Sequence, residues 1–369
     1  MTQRFYSLIA IVVMVAIVAA PSFSALAIAA SAPNSSEWES TLAAAKKEGN
    51  VVVSGPTGVD LRDALMEGFH KKYPEIRVEY EGSSTREFAT RVAAERKAGQ
   101  FRWDVFIHGA PETMIQMGAL DPLEPALMLP DVKNHKTWRG GAIEFLDPGK
   151  TVMVMTPRQR GTLFYNTKLI NAKEFKSYKD LLDPKWRGKI VADDPRMISG
   201  SGQATFTFFY LHPSLGPDFI RALGKQQLTM LRDFSQEVDA VAQGKYAVLL
   251  GTADFFAIER ARLGVPIAII DPRQLKEGSD TSPGNGDLAL FNRAPHPNAA
   301  KVFINWLLSK EGQTIFARAT GYVSARLDVP TDHTEPWRVP LPGAIKTYTK
   351  TAMDVKDDLG QLLQEVFGK

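Results

Sequence analysis

The chain has 369 residues, with 44 Lys and Arg against 41 Asp and Glu and a formal net charge of +3. So small a charge, with no basic run interleaved with aromatics, argues against nucleic acid as a partner. Cysteine is absent, which excludes disulfides, thiolate metal sites and cysteine nucleophiles.

The N-terminus reads as an export signal. Arg4 precedes an apolar run from Leu8 to Ala20, too short for a comfortable membrane span, and Ala25-Leu26-Ala27 has the small-x-small pattern of a cleavage site. Residues 1 to 27 are expected to be removed, with a second possible cut after Ala30. The mature chain is then periplasmic, without stable membrane insertion; a retained N-terminal anchor is the alternative. Residues 28 to 37 read as a disordered lead-in.

Trp38 to Lys47 is amphipathic and stops at Gly49-Asn50. Val51 to Val53 forms a short buried strand, followed by a helix from about Asp60 to Tyr73 that Pro74 ends. Ile76 to Tyr80 alternates as a strand, Glu87 to Ala98 is a helix, Trp103 to Ile107 a third strand, and a helix runs to Met117. Strand, small-residue loop and helix thus recur three times, the pattern of an α/β domain with a largely parallel sheet. Thr151 to Thr156 and Gly161 to Tyr165 read as strands. Ser199 to Gly202 opens an aromatic-rich helix with Phe206, Phe208 and Phe209. Val248 to Gly251 and Val265 to Ile270 are strands separated by a helix, and residues 276 to 286 form a polar loop. Gly286 to Gly312, GDLALFNRAPHPNAAKVFINWLLSKEG, reads as a strand (Leu288 to Phe291), a Pro-rich turn and a helix. Asn298 is the expected cap of that helix, and Ala299, Val302, Phe303 and Trp306/Leu307 its apolar stripe.

Candidate binding groups gather in four small-residue loops that precede helices. They hold Ser54 and Thr57, then Ser83, Ser84 and Thr85, then His108, then Ser199, Gly200 and Ser201. Backbone amides at a helix start favour an anion, although Ser or Thr there also serves as an ordinary cap. Ligands of open α/β sheets bind at the carboxyl ends of strands, where these loops fall. Arg86, Arg158, Arg160 and Arg196 lie near them and suit carboxylate or phosphate. Asp254, beside Thr252, is placed either to pair with an ammonium group or to cap the next helix. Asn285, with Asp287, is a candidate contact where the chain enters its final strand. His108 has no partner histidine or acid cluster, so no metal site is expected. No G-x-S-x-G, H-E-x-x-H, P-loop or G-x-G-x-x-G stands in a strand–helix setting, and nothing positive points to an enzyme.

WESTLAAAKKEGNVVV, FHKKYPEIRVEYEGSS, the run Tyr178 to Ile190 and APHPNAAKVFINWLLSKEGQ together resemble bacterial extracellular solute-binding proteins. These are the periplasmic receptors of ABC importers, in the branch of ferric-iron, thiamine, phosphonate and polyamine binders. The resemblance spans about residues 38 to 330. It implies an α/β, two-lobe periplasmic binding fold of type 2, each lobe a mixed, mostly parallel sheet flanked by helices, with the ligand cleft between them. Residues 38–163 and 284–369, including the C-terminal helices, are expected in the first lobe and residues 164–283 in the second, with Tyr165 and Asn166 at the crossover. The resemblance further implies a monomer that captures a small-molecule solute by hinge closure and delivers it to the permease subunits, with no cofactor. The family's ferric members use two adjacent tyrosines where GKYAVLLGTADFFAIERA places Phe255-Phe256, and phenylalanine cannot ligate iron. The helix-start loops and nearby arginines favour a small organic anion (phosphonate, phosphate ester or carboxylate) as the solute. Thiamine-like or polyamine cations stay open through Asp254 and Tyr165, and ferric ion ranks below both. The alternative role is the ligand-sensing partner of a membrane receptor.

Overall fold

A computed structural model describes residues 35–109, 111–197 and 200–368. The expected export signal and Ser199 lie outside these residues. Two mixed sheets carry the fold. The first takes β1 (Asn50–Gly55), β2 (Arg77–Gly82), β3 (Val105–His108), β4 (Leu120–Asp121) and β5 (Val152–Val154). The chain then passes through β6 (Arg158–Gln159) into the second sheet, made of β7 (Leu163–Asn166), β8 (Ile190–Asp193), β9 (Thr229–Leu231), β10 (Val248–Leu250) and β11 (Ile267–Ile269). It returns through β12 (Thr281–Ser282) to β13 (Asp287–Phe291), which enters the first sheet. β6 and β12 pair antiparallel, so two strands side by side join the halves. The outgoing strand β6 lies upstream of Tyr165 and Asn166, which sit inside the second sheet instead.

The first sheet has the order β2-β1-β3-β13-β4, with β5 also on β13. β1 runs parallel to β2 and β3, while β13 runs antiparallel to its neighbours. The second sheet has the order β11-β7-β10-β8-β9, parallel through β10-β8-β9 and antiparallel at β7.

Helices cover both sheets: α1 (Ser35–Glu48), α2 (Val59–Lys72), α3 (Thr85–Lys97), α4 (Glu112–Gln116), α5 (Pro130–Lys133), α6 (Ser201–Leu211), α7 (Gly216–Gly224), α8 (Phe234–Ala242), α9 (Asp254–Arg262), α10 (Pro297–Leu307), α11 (Lys310–Thr320), α12 (Lys350–Asp354) and α13 (Lys356–Phe367). α1 therefore begins inside the stretch read as a lead-in. In α2 the buried residues Leu61, Leu65 and Phe69 stand four apart, one stripe on the sheet. α10 is buried on nearly every side, with Phe303, Trp306 and Leu307 inaccessible to solvent. Burying Phe303 alone contributes about 2–3 kcal/mol.

The start of α10 differs from expectation. Pro297 is its first residue, and Asn298 is inside the helix, not its cap. The amides of Asn298 and Ala299 are capped from a distance by Glu48 at the end of α1, at 3.0 and 2.7 Å. A carboxylate there satisfies orphan donors and complements the helix dipole. Asp104 fixes the preceding turn through the His296 amide (2.8 Å) and Nδ1 (2.9 Å). The C-terminal end also differs. Leu359, Leu362 and Leu363 of α13 pack with Phe206, Phe209, Phe219 and Leu223 in the second sheet's core, so the last helix does not belong to the first lobe.

Candidate functional site

Two cavities border the β6/β12 crossing. The cleft cavity has a volume of about 280 Å³. The first half contributes Thr85 at the start of α3, Gly109, Glu112 at the start of α4, and Asp287. The second half contributes Gly200, Gln203, Ala204 and Thr207 along one face of α6. Ser282 and Asn285 come from the crossing, and Thr347, Tyr348 and Lys356 from the C-terminal segment. Packing is tight where the loops meet: a Cβ on Gly109 would stand 2.1 Å from the carbonyl oxygen of Gly284. A Cβ on Gly202 would likewise meet the Asp193 carbonyl at 2.2 Å. Only glycine allows either approach.

The second cavity is larger, about 620 Å³, and includes Arg158, Asp254, Phe255, Glu259, Arg262, Tyr322, His333, Glu335 and Arg338 in its lining. Asp254 receives Arg158 at 2.7 Å and Arg338 at 3.3 Å. Burial alone would raise the Asp254 carboxyl, but the two guanidinium groups outweigh it and hold it below the ordinary carboxylate range. Asp254 thus pairs with cations of its own chain rather than with a solute ammonium, and it is the first residue of α9, not its cap. Arg158 also lies over the Tyr322 ring, 5.3 Å from its centroid. Phe255 and Phe256 pack with centroids 4.3 Å apart, and Phe255 is largely exposed to this cavity.

Of the residues singled out from the sequence, Thr85, Gly200, Asn285 and Asp287 come together at the cleft cavity. Most of the others are built into the framework. Ser54 and His108 are buried and bonded to each other at 2.8 Å, with the imidazole stacked on Phe88. Burial lowers the His108 pKa to about 4, so the ring is neutral at physiological pH. Thr57 is exposed away from both cavities, and Ser83 is half-buried. Ser84 caps α3 through the Glu87 amide. Arg160 is buried against Asp280 (2.8 Å) and the Ser201 carbonyl (3.0 Å). Ser201 begins α6 and uses that carbonyl for Arg160 and Thr205. Arg196 grips both oxygens of Asp194 at 2.7 and 2.9 Å and donates to the Phe367 carbonyl. Asn166 donates to the Val241 carbonyl at 2.6 Å, and Tyr165 packs against the second core. Thr252 is fully buried.

The expected anion cradle at the start of α6 is likewise occupied from within. The Gly202 amide donates to Asp193 at 2.6 Å. Behind it Glu237 is fully buried, and burial together with the neighbouring Asp193 carboxyl holds Glu237 above the ordinary range. The chain's own carboxylates thus take the place an anion would seek.

Sequence reasoning passed over Glu112, Gln203, Thr207, Thr347, Tyr348 and Lys356. Gln203 and Thr207 were readable from helical spacing, since with Gly200 they share a face turned from Phe206 and Phe209. The C-terminal residues reach the cavity only through tertiary folding. Among the described residues, no group of three or more His, Asp or Glu side chains is arranged to hold a metal ion. No described helix is long and apolar enough to cross a membrane.

Two α/β lobes joined by a paired crossing, with a polar cavity at their junction, define a two-lobe solute-binding protein. The chain belongs to the bacterial extracellular solute-binding protein family, whose family model matches residues 64–340. An uncharacterized protein of Haemophilus influenzae is 27% identical over 141 residues, which span 38% of this chain and 39% of that relative. Solved structures share the fold at low identity. A Trichodesmium protein (IdiA, FutA) in complex with iron and citrate has a TM-score of 0.64 at 18% identity, over 87% of this chain and 100% of that one. Iron-bound HitA from Pseudomonas aeruginosa has a TM-score of 0.59 at 17% identity, over 86% and 99%. AfuA from Actinobacillus pleuropneumoniae, with fructose-6-phosphate bound, has a TM-score of 0.53 at 19% identity, over 87% and 99%.

Proposed function

We propose that this chain is the periplasmic solute receptor of an ABC importer, and that its solute binds in the cleft cavity and is delivered to the permease after the lobes close on it. One observation carries the reading: residues from both lobes and from the crossing segments line one cavity, the arrangement that hinge closure requires. The similar structures include one in complex with iron and citrate and one with fructose-6-phosphate bound, and the fold alone does not choose between such solutes.

The lining favours a solute rich in hydrogen-bond donors over a phosphonate or phosphate ester. Arg160 and Arg196 are committed to Asp280 and Asp194, and the α6 amide to Asp193. Glu112 and Asp287 line the cavity, against a single lysine, Lys356. An anion there meets the Glu112 carboxylate, a buried Asp287 carboxyl and one exposed ammonium. The larger cavity does not favour an anion either, since Arg158 is paired with Asp254 and Arg262 with Glu335.

A thermal-shift screen of amines, polyols, carboxylates, phosphonates and phosphate esters tests the choice, because a ligand that binds only the native state raises the melting temperature. Donor-bearing solutes are expected to stabilise the protein. Stabilisation by phosphonates or phosphate esters alone would contradict this reading of the cleft. Import rather than sensing is tested by uptake of the labelled solute in cells lacking this protein: uptake is expected to fail, and unimpaired uptake would argue for sensing.

A further inference from the structure

One carboxyl group in the cleft is out of balance with its surroundings. Asp287 opens β13 in the middle of the first sheet, in register with His108 on one side and Val154 on the other. It is fully buried, and neither of its carboxylate oxygens has a hydrogen-bond partner among the described residues. The next two positions on the same face of the strand, Ala289 and Phe291, are apolar and pack into the core. An unpaired carboxyl at a sheet centre is costly and calls for an explanation.

The surroundings suit a carboxyl that stays protonated until a cation reaches it. Burial, then the charges of Glu112 and Glu144, hold the Asp287 carboxyl well above the ordinary range. Glu144 is balanced by Lys346 at 2.7 Å and bonded by Tyr348 at 3.1 Å. That leaves Asp287 and Glu112 in the cavity wall with Lys356 as its one lining cation among the described residues, and Lys356 is exposed. With Asp287 protonated the wall is balanced, Glu112 against Lys356, and an ammonium group that displaces the Asp287 proton keeps it so.

We propose that Asp287, with Glu112, forms the subsite for a protonated amino group, and that the captured solute is a small amine. This rests on reading the cleft cavity as the solute site. An ammonium group brings three donors and one charge, matching two carboxyl groups that accept and repel each other. A hydroxyl brings one donor and leaves Asp287 protonated, without the charge-assisted bond that an ammonium makes. A carboxylate or phosphate adds repulsion. A cavity of about 280 Å³ limits the solute to a small molecule.

The test uses the purified protein with ethanolamine, 1,3-diaminopropane and putrescine, each against its matched diol, and with glycerol phosphate as the anionic control. Melting shifts and calorimetric affinities are read for the native chain, Asp287→Asn and Glu112→Gln. At least one amine is expected to bind at least tenfold more tightly than its diol. Asp287→Asn should weaken that binding at least tenfold while its own melting temperature stays level or rises. Glu112→Gln should weaken it several-fold, and it carries the test alone if Asp287→Asn does not fold. Absence of amine binding, equal binding of amine and diol, or amine binding unchanged in either folded variant overturns the proposal. Binding of glycerol phosphate that Asp287→Asn leaves intact removes the amine subsite but keeps the solute-receptor reading. If no solute class in the wider screen binds, both fall.

Discussion

Arg160→Ala separates a framework role from a ligand-binding one. Arg160 is 6% exposed and Asp280 is fully buried. The guanidinium donates to Asp280 Oδ2 at 2.8 Å and to the Ser201 carbonyl at 3.0 Å. Without it, Asp280 keeps only the Thr347 hydroxyl, at 2.8 Å. The Ser201 carbonyl keeps its bond from Thr205, at 3.0 Å. The main cost is therefore an uncompensated buried carboxylate, about 3–5 kcal/mol. Domain stability is typically only about 5–15 kcal/mol, so the loss is large. Urea unfolding should show a much lower midpoint with a similar slope. Replacing both partners, Arg160→Met with Asp280→Leu, should recover most of the loss, because no charge is left unpaired. If Arg160→Ala leaves stability within about 0.5 kcal/mol, the range of an ordinary surface substitution, and solute affinity collapses, the framework assignment is wrong.

Burial depresses the His108 pKa to about 4, from an ordinary value of 6.5. As pH falls the unfolded chain takes up that proton first. The His108 contribution is therefore intact above about pH 6.5 and declines towards pH 4, by about 3 kcal/mol in total. His108→Asn should flatten the stability profile between pH 7 and 4.5, and an unchanged slope in urea unfolding would contradict this. Glu48→Ala should cost about 1–2 kcal/mol by uncapping α10, measured by the same method; no loss would show that water serves those amides equally well. Purified protein should be colourless, because Phe255 and Phe256 offer no phenolate; an iron-loaded preparation with visible tyrosinate absorbance would overturn that reading.

The local grammar of the chain was legible. Three strand–loop–helix units, the buried α10 stripe and the aromatic α6 all follow from periodicity and turn residues. The cleft was legible only in part, for a physical reason. A cation near a small-residue loop looks the same in sequence whether it faces a solute or a carboxylate of its own chain. Arg160 meets Asp280, 120 residues away, and Arg158 meets Asp254, 96 residues away. Only the tertiary fold reveals such pairs. Asn298 misled for the same reason: its helix is capped by Glu48, 250 residues earlier. Asp287, by contrast, stood in plain view as an acidic residue at the head of an apolar strand, and its meaning emerged only once its neighbours were seen to leave it unpaired.

The central claim is that two lobes close on a solute at the β6/β12 crossing. Small-angle scattering with and without a saturating concentration of the most stabilising solute from the thermal screen tests it directly. The radius of gyration should fall on binding, because the lobes rotate together across the cleft. Superimposable profiles at saturation would contradict closure, and with it the proposed mode of capture.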